Sequence, residues 1–221
     1  MARPRPYLSF SQMTLFERDP EGYAEQYLYG KKQRLSRNIV YGGMLAEGLE
    51  HGEASGDPML DAMMSKLPKF ELMDHAVIAK VGKGRFIRYA RGSGLNEMYV
   101  PILENRGDDI PLLALPDTVK PDWSAFKEYK TSTRKWTQQM ADESGQITFY
   151  ATAMWLVTGK VPEDIELVNV PVAYDENGRL APTGELVRLP TRRSMSDVIK
   201  MVSRMRKAWA GIKELCEKEL L

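Results

Sequence analysis

Three side chains near the middle of the chain have the types and spacing of a hydrolytic site. Asp117 is followed eleven residues later by Glu128-x-Lys130, within the stretch from Leu115 to Ser132. In an extended chain residues i and i+2 point to one face, so a strand through Glu128 sets it beside Lys130. Paired carboxylates hold a hard divalent cation through oxygen. An ammonium next to them can steer a water and offset charge building on a phosphate. Together these are the parts of cation-assisted phosphodiester hydrolysis. The same residues also describe a solvated strand face with a Glu–Lys pair, since short motifs recur by accident.

For Asp117 to join the pair, the chain must turn at Lys120-Pro121-Asp122 and run back. The two carboxylates would then be diagonal cross-strand neighbours, ~7–8 Å apart. The surrounding pattern supplies such strands. His75 to Val81, Arg85 to Ala90, Glu97 to Leu103, Pro111 to Leu115 and Trp123 to Tyr129 are short apolar or alternating runs punctuated by Gly, Asn and Asp. They predict a mostly antiparallel meander. Trp136 to Val157 has helical period, Ile165 to Ala173 and Glu185 to Leu189 read as strands about a turn at 175–178, and Ser194 to Leu220 reads as a long helix.

Before the sheet the chain is helical. Ser9 or Ser11 can cap a helix carrying Leu15, Phe16, Tyr23, Tyr27 and Leu28, and Pro20 should divide it into two short pieces. Tyr41 to Glu53 and Leu60 to Leu67 predict two more helices. Helices, a sheet, a helix, further strands and a closing helix make a mixed α+β chain. We read it as one domain over 1–221, with a helical part at 1–74, sheet and helix at 75–190 and the last helix at 191–221.

Composition narrows the class. The 221 residues suffice for one well-buried domain, and 31 basic against 30 acidic residues leave a net charge of +1. A nucleic-acid partner would therefore need local basic clusters. The single cysteine, Cys216, excludes an internal disulfide or a four-cysteine metal site and suits a reducing compartment. With no apolar run long enough for a leader or a membrane span, the expectation is a cytoplasmic protein without a membrane partner.

Other residues could serve the site or merely the fold. Gln146 and Tyr150, four apart, share one helix face and could bond a phosphate or base edge; an exposed helix former and a core aromatic describe them equally. Glu47 and Glu50 lie on the helix that opens with Tyr41-Gly-Gly, where an amphipathic helix with exposed acids is the plainer reading. Lys200, Arg204, Arg206 and Lys207 form a basic face that could track a DNA backbone or simply be solvated. Met201, Met205, Trp209, Ile212 and Leu215 on that helix fit either core or interface. His51 and His75 are too isolated for a zinc site, and 82–85 reads as a hairpin turn. Asp108 or Asp109 could compete with Asp117 as a ligand.

Taken in order, the pieces form a pattern. A Gly-rich helix ending in Leu49-Glu50, a Pro116-Asp117 at a strand end, Glu128-Tyr-Lys130-Thr-Ser and Gln146-x-x-x-Tyr150 resemble the RecB-like exonuclease branch of the PD-(D/E)XK nuclease superfamily. The opening Leu8-Ser-Phe-Ser-Gln-Met-Thr-Leu-Phe-Glu-Arg-Asp-Pro20 is similar to the start of that branch, and the resemblance covers residues 7 to about 172. It implies a restriction-endonuclease-like core that cuts DNA with Mg2+ or Mn2+. Asp117 and Glu128 would be metal carboxylates and Lys130 the catalytic lysine. The Tyr129 carbonyl and Glu50 would complete the metal site, while Gln146 and Tyr150 would contact the DNA strand. Glu97 stands where relatives often carry an acid.

Two positions depart from the family. Ala46 replaces the histidine usual three residues before the Leu of Leu-Glu, which puts a two-cation arrangement in doubt and leaves one cation, held by Asp117, Glu128 and Glu50, feasible; the choice between one and two stays open. Asp19 stands where some relatives carry an iron–sulfur cysteine, so no cluster is expected. The resemblance implies action on DNA ends in recombination, repair or phage DNA metabolism, with a homo-oligomer or a recombination protein as possible partner. The alternatives are a nuclease fold kept for DNA binding or assembly, and a hydrolase acting on RNA or a small molecule.

Overall fold

The computed structural model describes residues 7–31, 75–81, 86–90, 110–120, 122–178, 180–183 and 186–219. It is mixed α/β, with two sheets and helices packed between and against them.

The chain opens on strand β1 (Leu8–Ser9), which runs directly into helix α1 (Phe10–Arg18). Ser9 is the cap: its Oγ accepts from the Gln12 N–H at 3.4 Å. A hydroxyl there satisfies an amide that the helix cannot. Asp19 then ends α1, its own N–H bonding Leu15 O, and starts α2 (Pro20–Tyr23) by accepting from the Gly22 N–H at 2.9 Å. Proline at the first helical position lacks an N–H that the helix would not use, so Pro20 begins a helix here. A π-helical turn, Ala24–Leu28, follows.

The first sheet has the order β1-β4-β2-β3, with β2 at His75–Val81, β3 at Phe86–Ala90 and β4 at Ile110–Ala114. Strand β2 is antiparallel to both β3 and β4, as the meander predicts, but β1 is parallel to β4. The second sheet contains β5 (Thr118–Val119), β6 (Ala125–Ser132), β7 (Asp164–Tyr174), β8 (Leu180–Pro182) and β9 (Val187–Thr191). β5 and β6 form a hairpin, β6 and β7 are parallel, and β8 and β9 each pair antiparallel with β7. The antiparallel pairing expected over 75–129 is present but divided between two sheets, each of which also holds a parallel pair. Parallel strands need a long crossover, and the helices between β6 and β7 provide it.

That crossover is two helices, α3 (Gln138–Asp142) and α4 (Gly145–Thr158), where the sequence pattern predicts one. Ser144 divides them, because its Oγ accepts from the Ile147 N–H at 3.4 Å and so starts a new helix. Ile147, Phe149, Tyr150, Ala151, Ala153 and Met154 of α4 are all buried. Such a helix lies inside the core rather than on its surface.

Helix α5 (Met195–Glu219) closes the chain and packs on α4 and α1. Its buried positions are Val198, Met201, Met205, Ala208, Trp209, Ile212 and Cys216, which assigns the apolar stripe to the core. Gly211 allows the Phe16 ring to rest on the helix; a Cβ there would stand 2.7 Å from the ring. The expected helices at 41–53 and 60–67 and the strand at 97–103 lie outside the described residues.

Candidate active site

The turn that joins β5 to β6 decides where Asp117 falls. Trp123 N–H donates to Lys120 O and Lys120 N–H to Ala125 O, each at 2.9 Å, while Asp122 Oδ1 accepts from Ser124 N–H and Oγ at 3.0 and 2.7 Å. Trp123 takes a left-handed φ of 63°, uncommon for a bulky residue, and packs against the core. The hairpin register pairs Thr118 with Lys127 and Val119 with Phe126. Continued by one step, it sets Asp117 directly opposite Glu128, not diagonal to it. Asp117 Oδ2 accepts from the Tyr129 N–H at 2.6 Å, which anchors its carboxylate against β6.

Glu128 is only 3 % exposed. Its Oε1 accepts from Lys130 Nζ at 2.6 Å and from Gln146 Nε2 at 2.8 Å. Gln146 Nε2 also donates to the Tyr150 hydroxyl at 2.8 Å, so the two α4 residues do share a face, and that face meets the strand. Tyr150 lies edge-on to Phe126, at 6.2 Å between ring centroids. Glu128 Oε2 is buried with no hydrogen-bond partner among the described residues. Asp117, Glu128, Lys130, Gln146 and Tyr150 therefore form one cluster, drawn from a strand end, a strand and a helix.

Burial raises the Glu128 carboxyl from its ordinary 4.5 to about 8, and the neighbouring Asp117 adds to the rise; the Lys130 ammonium, which also donates to Glu128, pulls the other way. That rise favours the protonated carboxyl at pH values where an exposed glutamate is ionised. A group that exchanges its proton for a cation binds that cation more tightly as pH rises.

Tyr129 lies between Glu128 and Lys130 in the chain, so its side chain points to the opposite face. Burial pushes its phenol up, with Arg188 and Glu166 as electrostatic neighbours. On that face Glu166 Oε2 binds Lys127 Nζ at 3.0 Å and Arg188 Nη1 at 3.1 Å, tying β6, β7 and β9 together. One face of the sheet thus carries the acid–lysine pair and the other a structural ion network.

Helix α4 is held in place by a residue that sequence reasoning passed over. Arg193, 8 % exposed, donates to Thr148 Oγ1, Thr191 Oγ1 and Arg192 O at 2.7 Å, to Ala141 O at 2.8 Å and to Ser144 O at 3.2 Å. It locks the α3–α4 junction, two residues before Gln146, to the end of β9. In the sequence it is one arginine of an Arg-Arg pair before a helix, with no sign of burial. Arg193→Met should lower unfolding stability by about 2–4 kcal/mol in urea titration, as charged donors are lost from a buried network.

The basic face of α5 is smaller than the spacing suggests. Arg204 is held bidentately by Glu17 of α1, at 2.8 and 2.6 Å, which leaves Lys200, Arg206 and Lys207 exposed. Glu47, Glu50, Ala46, Glu97, His51, Asp108 and Asp109 lie outside the described residues. Among the described residues no group of three or more His, Cys, Asp or Glu side chains is placed to hold a metal. The same residues include no helix long and apolar enough to cross a membrane.

No protein-family model matches the chain, and no curated protein does either. Its chemistry is therefore read from the cluster itself.

Proposed function

We propose that the chain is a divalent-cation-dependent nuclease, with a restriction-endonuclease-like core of the RecB-like PD-(D/E)XK type, that hydrolyses phosphodiester bonds in DNA. One observation supports this above the rest: Asp117, Glu128, Lys130, Gln146 and Tyr150 converge on one cluster. A solvated strand face would leave Glu128 exposed, whereas here it is buried beneath a helix.

The donor set fits Mg2+ or Mn2+. Two carboxylates supply the oxygens such ions prefer, and the buried Glu128 Oε2, with no partner among the described residues, becomes a free acceptor once the carboxyl is deprotonated. Asp117 and Glu128 would hold the ion, with the Tyr129 carbonyl and Glu50 completing its protein ligands. A bound ion of this kind supplies an activated water and offsets charge on the leaving oxygen.

The chain's own residues do the rest. Glu128 releases its proton to solvent water and loosens its hold on Lys130 and Gln146. Lys130, freed, turns its ammonium to the phosphate, where it offsets developing negative charge. Gln146 and Tyr150 present an amide and a phenol to the strand and fix its position. Ala46 argues for one ion rather than two. The resemblance favours exonucleolytic action on DNA ends in recombination, repair or phage DNA metabolism, within the cytoplasm and with a homo-oligomer or recombination protein as partner.

The test is degradation of linear single- and double-stranded DNA by the purified chain with Mg2+, Mn2+ or EDTA. Cleavage in either metal and none in EDTA supports the reading. DNA that is bound but uncut in both metals replaces it with a binding or assembly protein.

A further inference from the structure

Asn169 of β7 is 0 % exposed, and neither its Oδ1 nor its Nδ2 has a hydrogen-bond partner among the described residues. Buried carboxamides are normally paired, and one left unpaired costs stability that an apolar side chain would not. The β6–β7 register sets Asn169 directly beside Lys130 and Leu167 beside Glu128. Paired residues on adjacent strands project from the same face of a sheet, so Asn169 shares a face with Glu128 and Lys130. Glu128 Oε2, also partnerless, belongs to that face. Glu128 Oε2 and the Asn169 carboxamide thus lie on the one face that carries the proposed site.

Among the described residues Lys130 has one acceptor there, Glu128 Oε1 at 2.6 Å, and Gln146 shares it. If Glu128 is engaged by a cation, the ammonium needs a second acceptor to keep it aimed across the site. Asn169, set beside Lys130 by the register of the adjacent strand, has an oxygen to offer. We propose that Asn169 is a positioning residue for Lys130, its carboxamide oxygen receiving the ammonium when Glu128 is committed to a cation. This rests on the nuclease reading above and adds to it a residue from a further strand, outside the Asp…Glu-x-Lys pattern.

The test pairs stability with kinetics. Asn169→Leu removes a buried polar group with no present partner, so the metal-free protein should melt about 2–4 °C higher. In Mn2+ the same variant should lose kcat by about 10- to 100-fold with KM for DNA unchanged, because Lys130 is no longer held in place. Asn169→Asp keeps an acceptor oxygen at that point and should retain kcat within about threefold. In a Lys130→Met background, Asn169→Leu should change kcat by less than about twofold, since the two residues act as a unit.

Wild type that cuts no DNA in either metal overturns both readings. Wild type that cuts, beside Asn169→Leu with unchanged kcat or with kcat and melting temperature falling together, overturns the role of Asn169 alone. Asn169→Asp losing as much kcat as Asn169→Leu does the same, and holds even if the leucine variant fails to fold.

Discussion

Glu128→Gln should stabilise the metal-free protein at pH 8 to 9 and leave it little changed near pH 4. The carboxyl titrates near 4.5 when unfolded and about 8 when folded, because burial and Asp117 disfavour its charge. Between those values the folded state binds a proton that the unfolded state has released. The derivative of unfolding free energy with pH follows protons bound unfolded minus folded, so here it is negative. Glu128's contribution is complete below about 4.5 and is lost as pH rises through about 8. Glutamine carries no such proton, and it keeps an oxygen for Lys130 and Gln146. The gap between variant and wild type should therefore open from pH 4.5 to 8, reaching the order of a few kcal/mol. Urea unfolding in EDTA across that range measures it. An increment independent of pH, or a variant weaker than wild type at pH 8, would show that Glu128 is not the buried acid described here. Mn2+ should reverse the order, because a ligand that binds only the folded state stabilises the chain that can hold it.

Lys130→Met carries the largest expected effect on turnover. On the proposed nuclease reading its ammonium would meet charge that appears only in the transition state, and loss of one such group typically costs kcat about 100- to 1000-fold. An interaction of that kind leaves KM for DNA nearly unchanged. Methionine also strips Glu128 of the neighbour that lowers its proton affinity, so the variant's folded carboxyl should titrate higher still. Single-turnover cleavage in Mn2+ at high pH separates the two effects, for there the proton is already gone. Retention of most of wild-type kcat under those conditions would reduce Lys130 to a structural counterion.

Much of this arrangement could be read from residue order because it is local. Alternation along a strand sets Glu128 beside Lys130, helical spacing sets Gln146 beside Tyr150, and Asp19-Pro20 punctuates the first helices by backbone rules. The register of Asp117 was not readable in this way. It depends on a turn whose left-handed residue is Trp123, a position where glycine or asparagine would be the usual signal. The parallel pairing of β1 with β4 and of β6 with β7 joins segments distant in sequence, which no local pattern encodes. Arg193, Asn169 and Glu128 share another difficulty. Charged and amide side chains are by default exposed, and only the packing of α3, α4 and β9 reveals which of them are not. Arg204 errs the other way: it belongs to a basic stripe by spacing, yet Glu17 claims it.

On the proposed reading Asp117 and Glu128 together hold one divalent cation. Crystals soaked in Mn2+ at a pH above 8, where Glu128 has released its proton, test it most directly through anomalous scattering. We expect a single peak between the two carboxylates, at roughly 2.0–2.3 Å from an oxygen of each, with Lys130 withdrawn from Glu128. A peak elsewhere, or none while Lys130 and Gln146 still hold Glu128 Oε1, would contradict it.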